Sequence, residues 1–124
     1  KDNHIARLSS RELASYLNGV IARSRGEAPD RFIEVEVDTL EQFREVLKVD
    51  GIDVILLDNM DCPRMAEAVK LRDASGRKTL IEASGGITLE TVRSVAECGV
   101  DRIAVGALTH SAVAMDIGLD IEGE

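Results

Sequence analysis

Along residues 33–38 the apolar Ile33, Val35 and Val37 alternate with Glu34 and Glu36, and a period of two puts the valines on one face and both carboxylates on the other. This pattern predicts a strand with an acidic face. Helical spacing takes over on either side. Ser9-Ser10-Arg11-Glu12 fits a capping box, and Leu13, Leu17, Val20 and Ile21 share one face of a helix that Gly26 and Pro29 stop. Asp38-Thr39-Leu40-Glu41 repeats the capping pattern ahead of Leu40, Phe43, Val46 and Leu47, the inner face of a second helix ending near Gly51. Asp53-Val54-Ile55-Leu56-Leu57-Asp58 is apolar on both faces, as in a parallel strand covered on each side.

The alternation continues to the end of the chain. Asp61 can cap a third helix, with Pro63 in its first turn, Met65 and Val69 inward, and Gly76 as its stop. Thr79-Leu80-Ile81-Glu82 predicts a third strand, and Thr88 a cap for a helix with Leu89, Val92, Val95 and Ala96 as its stripe, ending at Gly99. Arg102-Ile103-Ala104-Val105 is the next strand, a short helical turn follows, and Ile117, Leu119 and Ile121 alternate as a last one.

Regular alternation of strand and helix argues for an α/β protein with a parallel sheet. Spacing sharpens this. Glu36, Asp58, Ser84 and Gly106 stand at or just beyond successive strand ends, 22, 26 and 22 residues apart, one βα unit per step. An (α/β) barrel takes about 250 residues, so residues 1–124 are expected to form one partial barrel domain with two open edges. Completion falls to further sequence or to another chain.

Composition changes the picture little and charge changes it more. The 44% hydrophobic content suffices for a core. A net charge of −8, without a basic patch, argues against nucleic acid and anionic membrane as partners. No apolar run approaches the roughly 20 residues of a membrane helix, and no signal peptide opens the chain, so a cytoplasmic protein is expected. Cys62 and Cys98 stand far apart without a C-x-x-C pair, which reads as two idle thiols. The chain opens at Lys1 on a polar turn without a methionine, and upstream sequence is expected.

Barrel enzymes assemble their sites from the C-terminal ends of several strands. In that geometry Glu34 and Glu36 point into the lumen, and Asp58 shares a face with Val54 and Leu56. Two lumen carboxylates on neighbouring strands call for a cation, a metal or sugar hydroxyls. The plainer alternative is a solvated edge or structural ion pairs, which suits Glu34, deeper in its strand, at least as well. Ser84-Gly85-Gly86 and Gly106-Ala107-Leu108-Thr109-His110 open two adjacent strand-end loops where bare N–H groups can meet a phosphate. His110 can donate to the same phosphate, or cap a helix. His4 reads as structural and Lys1 as an exposed lysine.

Taken in order, Lys1-Asp2-Asn3-His4, Glu34-Val35-Glu36-Val37-Asp38, Leu56-Leu57-Asp58-Asn59, Glu82-Ala83-Ser84-Gly85-Gly86 and Val105-Gly106-Ala107-Leu108-Thr109-His110-Ser111 resemble the C-terminal half of the quinolinate phosphoribosyltransferase family. Asp116-Ile117-Gly118-Leu119-Asp120 matches as well. The resemblance implies the C-terminal half of an incomplete, seven-stranded TIM-like α/β barrel. It also implies conversion of quinolinate and phosphoribosyl pyrophosphate to nicotinate mononucleotide, pyrophosphate and CO2 in NAD biosynthesis, with Mg2+, by a homodimer or higher homo-oligomer. Carried onto this chain, it makes Lys1 a cationic substrate contact, and Glu36 and Asp58 the catalytic carboxylates near ribose and metal. Ser84, Gly85, Gly86, Gly106, Ala107, Leu108 and His110 become the phosphate-binding set.

In that family the arginine- and lysine-rich grip on the quinolinate carboxylates lies upstream of the Lys-Asp-Asn-His motif, so the chain by itself is expected to be inactive. Three further readings stay open. They are a non-catalytic half-barrel assembly module with a residual phosphate site, a related pyrophosphorylase acting on another base, and a barrel enzyme using Lys1 for a Schiff base.

Overall fold

A computed structural model describes residue 8 and residues 10–110. The element order is α1 (Ser10–Glu27), β1 (Glu34–Val37), α2 (Leu40–Val46), β2 (Val54–Asp58), α3 (Cys62–Ser75), β3 (Leu80–Ser84), α4 (Val92–Glu97), β4 (Arg102–Ile103) and α5 (Ala107–His110). The strands form one sheet in the order β1-β2-β3-β4, every neighbouring pair parallel. The expected strand around Ile117–Ile121 lies outside the described residues, as do Lys1 and His4. No helix among the described residues is long and apolar enough to cross a membrane.

The helix ends follow their capping residues. Thr39 accepts a hydrogen bond from Gln42 N at 3.2 Å, while Gln42 Oε1 accepts from Asp38 N at 2.9 Å, a reciprocal cap that starts α2. Asp61 Oδ1 accepts from Arg64 N at 3.0 Å and starts α3, with Pro63 in the first turn; Gly76, at φ 69°, closes it. At α4 the expectation fails. The regular helix begins at Val92, Leu89 is 75% exposed and Ala96 is exposed, so only Val92 and Val95 turn inward. The turn 88–91 directs Leu89 outward: Thr88 O accepts from Val92 N at 2.9 Å and Thr88 N donates to Thr91 Oγ1 at 2.9 Å, but the Thr88 hydroxyl donates to Glu90 and caps no N–H of α4.

Among the described residues, helices cover only one face of the sheet. Val35 and Val37, Ile55 and Leu57, and Ile81 and Ala83 are buried there against Leu13, Leu17 and Ile21 of α1, Phe43 and Val46 of α2, Met65 and Ala68 of α3, and Val95. Val20, expected inward, is 45% exposed at the margin of the α1 stripe. The other face carries Glu34 and Glu36 on β1, Val54, Leu56 and Asp58 on β2, Leu80, Glu82 and Ser84 on β3, and Arg102 on β4, as the parallel register requires. Reading β2 as covered on both sides therefore holds for Val54, which is fully buried, but not for Leu56, which is half-buried because no second layer lies over it among the described residues.

One arrangement recurs at the N-terminal edge of the sheet. Asp53, just before β2, accepts from Ile33 N at 2.7 Å and from Arg25 of α1 at 2.8 Å. Asp101, just before β4, accepts from Ile81 N at 2.8 Å and pairs with Arg72 of α3. Each aspartate ties a strand start to a helix end. Asp53→Ala leaves the Ile33 N–H and the Arg25 guanidinium without this acceptor, and is expected to cost about 1.5–3 kcal/mol in urea unfolding.

Candidate functional site

The C-terminal ends of the strands form the chemically equipped edge of the sheet. β3 ends at Ser84, and the chain turns through Gly85 at φ 95° and Gly86 at φ 59°, both left-handed. Asn59, directly after β2, is itself left-handed at φ 51°, a conformation asparagine tolerates better than most residues. That turn lets Asn59 N donate to Ser84 O at 3.0 Å while its side-chain Nδ2 donates to Asp58 Oδ2 at 2.8 Å. A Cβ at position 85 would lie 2.3 Å from Asn59 Oδ1 and 2.8 Å from Asn59 N. Glycine is required there because the two strand-end loops touch.

Ser84, Gly85, Gly86, Gly106, Ala107 and His110 line one cleft of about 360 Å³ at this edge. All six were anticipated from the sequence. Ile87, Thr88 and Ala104 complete the lining. Among the described residues the backbone N–H groups of Gly85, Gly86, Gly106 and Ala107 donate to no protein acceptor, whereas those of Leu108, Thr109 and His110 are spent on Val105 O and Gly106 O. Leu108 is the exception to the expected set. It is 70% exposed and does not line the cleft, because the α5 turn carries its side chain away. Lys1 lies outside the described residues.

Glu36 and Asp58 share the uncovered face but do not line the cleft: Asp58 is in register with Ser84 of the adjoining strand, and Glu36 lies one strand further away. Glu36 is in register with Leu56, so Asp58 stands one diagonal step further along the neighbouring strand, roughly 8 Å away between Cα atoms from standard sheet spacings. Both are half-buried, and Glu36 makes no hydrogen bond or ion pair among the described residues. No group of three His, Cys, Asp or Glu side chains that could hold a metal occurs among the described residues. Mg2+ is commonly held by one or two carboxylates and completes its shell with water and substrate phosphate. The Glu36–Asp58 pair fits that shared mode and does not fit an all-protein cage.

Two further charged residues of this face were missed. Glu82, in register with Leu56 and Arg102, is only 8% exposed. Arg102 Nε lies 2.9 Å from Glu82 Oε2 in an ion pair whose angle falls short of a hydrogen bond, leaving that oxygen buried without one. The Arg102 guanidinium also sits 5.8 Å from the Phe32 ring centroid. The Leu80, Glu82, Ser84 alternation was the signal that pointed to Glu82. Burial first, then the Glu82 and Glu36 charges, pushes the Glu34 carboxyl up, with Arg102 opposing.

A carboxyl raised in the folded state binds its proton more tightly there than in the unfolded chain. Its contribution to stability is therefore present at low pH and lost as pH rises through the folded value. Glu34→Gln removes that loss and is expected to raise the melting temperature at pH 7 by about 1–3 °C, with no gain at pH 3. A thermal scan at the two pH values checks it.

A larger cleft of about 570 Å³, walled by Phe32, Asp53, Arg77 and Leu80, lies at the opposite edge. Its Asp53 is already committed to Arg25 and Ile33 N. In parallel α/β sheets ligands bind at the carboxyl ends of the strands, which favours the smaller cleft.

The family model described as "Quinolinate phosphoribosyl transferase, C-terminal domain" matches residues 1–120. The carboxylating nicotinate-nucleotide pyrophosphorylase of Mycobacterium leprae is 44% identical over 121 residues, 98% of this chain and 40% of that protein. A probable carboxylating nicotinate-nucleotide pyrophosphorylase of Methanocaldococcus jannaschii is 40% identical, across 98% of this chain and 42% of its own length. Among solved structures, the nicotinate-nucleotide pyrophosphorylase of Ehrlichia chaffeensis superposes with a TM-score of 0.69 at 40% identity, covering 98% of this chain and 40% of that one. The fold is thus the C-terminal half of an incomplete, TIM-like α/β barrel, and the chain spans about 40% of the length of these relatives.

Proposed function

The chain belongs to the family of the quinolinate phosphoribosyl transferase C-terminal domain, and we propose that it supplies the ribose- and phosphate-binding half of an enzyme making nicotinate mononucleotide from quinolinate and phosphoribosyl pyrophosphate in NAD biosynthesis. One observation carries this reading. Among the described residues, four N–H groups without a protein acceptor, on the two adjacent glycine loops that line the cleft, share the strand-end edge of the sheet with the carboxylates Glu36 and Asp58.

The reaction forms a bond from the pyridine nitrogen to ribose C1, breaks the C1–O bond to pyrophosphate, and then releases one carboxylate as CO2. Positive charge grows on the sugar as the leaving bond stretches, and fixed carboxylates stabilise it without reorganising. Glu36 and Asp58 take that role, with Asn59 holding Asp58 in place. The N–H groups of Gly85, Gly86, Gly106 and Ala107, with Ser84 and His110 at the rim, receive the 5-phosphate and fix the sugar. Glu36 and Asp58 would hold Mg2+, which would supply neutralisation of the leaving-group charge. Decarboxylation is driven by the cationic ring nitrogen that ribosylation creates.

Cations for the quinolinate carboxylates come from Lys1 and from sequence present in the longer relatives, so turnover requires that additional part. An oligomer, at least a homodimer, covers the open sheet edges. A cytoplasmic setting is consistent with the acidic charge of −8.

Calorimetric titration of the chain with phosphoribosyl pyrophosphate tests the reading. Binding is expected, strengthened about tenfold or more by Mg2+. No heat with or without Mg2+ overturns the assignment of the cleft.

A further inference from the structure

Two thiols separated by 36 positions in the chain converge in space. Cys62 is the first residue of α3 and Cys98 caps the C-terminus of α4. Both sulfurs donate to one carbonyl oxygen, Ser94 O, at 3.7 Å from Cys62 Sγ and 3.1 Å from Cys98 Sγ. Both are free and half-buried, so a small reagent can reach them. Neither touches the cleft at the strand ends.

We propose that Cys62 and Cys98 are a redox-responsive pair that closes to an intramolecular disulfide between α3 and α4. The oxidant is a low-molecular-weight disulfide. Cys62, as thiolate, attacks one of its sulfurs, forming a mixed disulfide and releasing one small thiolate. Cys98 then loses its proton to solvent and attacks Cys62 Sγ, forming the protein disulfide and displacing the second small thiolate. Two protein thiols are oxidised and one small disulfide is reduced to two thiols. Burial, followed by the neighbouring Cys62 thiol, pushes Cys98 up to about 11. It therefore stays protonated at neutral pH.

The bond would join two consecutive βα units. α3 follows the Asp58–Asn59 turn, and α4 follows the Ser84–Gly86 turn. A cross-link between them limits their separation in the unfolded chain and restrains their relative movement in the folded one.

Equilibration of the folded chain with oxidised and reduced glutathione, acid quenching and intact-mass measurement tests this. The expected product is a monomer lighter by two hydrogens, with one linked peptide pair containing Cys62 and Cys98. Its melting temperature is expected to be about 5 °C or more above the reduced form. Cys98→Ser should instead halt at a glutathione adduct on Cys62. A persisting glutathione adduct on the unmodified sequence, a disulfide between chains, or thiols that react only in denaturant would each overturn the proposal. The mass measurement on the unmodified sequence decides even if the variant does not fold.

Discussion

Gly85→Ala is expected to abolish phosphate binding in the strand-end cleft and to cost about 2–4 kcal/mol of stability. Two effects combine. The residue sits at φ 95°, where an L side chain is strained, and its new methyl would fall 2.3 Å from Asn59 Oδ1 and 2.5 Å from Asn59 Cγ. Relief by rotating Asn59 is partial, because Asn59 N itself lies 2.8 Å away and is fixed by its hydrogen bond to Ser84 O. The two loops must part, which withdraws the Gly85 and Gly86 N–H groups and frees Asp58 from Asn59. Gly86→Ala is the matched control. It shares the left-handed backbone, at φ 59°, but its Cβ would meet nothing within 4 Å, so only about 1–2 kcal/mol of backbone cost is expected. Urea unfolding and phosphate titration of both variants separate crowding from backbone strain.

Glu36→Gln is expected to lower kcat of the assembled enzyme by about 10²–10³-fold while leaving its melting temperature within about 2 °C. The split follows from the environment of the side chain. Glu36 is half-buried, makes no hydrogen bond or ion pair among the described residues, and adds to the charge that pushes Glu34 up. Its removal as a charge therefore costs the fold little. In the ribose contact proposed for it, however, a neutral amide cannot stabilise positive charge as a carboxylate does. A drop in both stability and activity would make Glu36 a structural residue.

Most of the scaffold was legible because its signals are local. Asp61 with Pro63 and Gly76 marked α3 by capping chemistry, and the Ile33–Val37 alternation marked the faces of β1. The cleft was legible for a different reason: glycines at two successive strand ends meet once the strands are adjacent and parallel. What escaped depends on contacts between units. Asn59 required knowing that its loop touches Gly85. Glu82 required the register that sets it beside Arg102. The meeting of Cys62 and Cys98 required the packing of α3 against α4. Leu56 was misread because apolar composition does not say which face a chain covers by itself. Leu89 was misread because the turn before a short helix redirects a side chain that periodicity would send inward, and Leu108, placed in the phosphate set by resemblance, is carried away from the cleft by the short α5 turn.

The physical picture is a half-site. The described strand ends offer N–H groups without a protein acceptor and two carboxylates, while Arg102 is already engaged by Glu82 and Phe32. Two polyanionic substrates need more positive charge than this face supplies. The most direct measurement is release of nicotinate mononucleotide from quinolinate, phosphoribosyl pyrophosphate and Mg2+, by the chain alone and by the chain joined to the remaining length its relatives possess. Turnover by the joined protein, none by the chain alone, and loss of that turnover in Glu36→Gln are predicted. A correctly folded joined protein that binds phosphoribosyl pyrophosphate yet makes no nicotinate mononucleotide would contradict the account, as would full turnover by the chain alone.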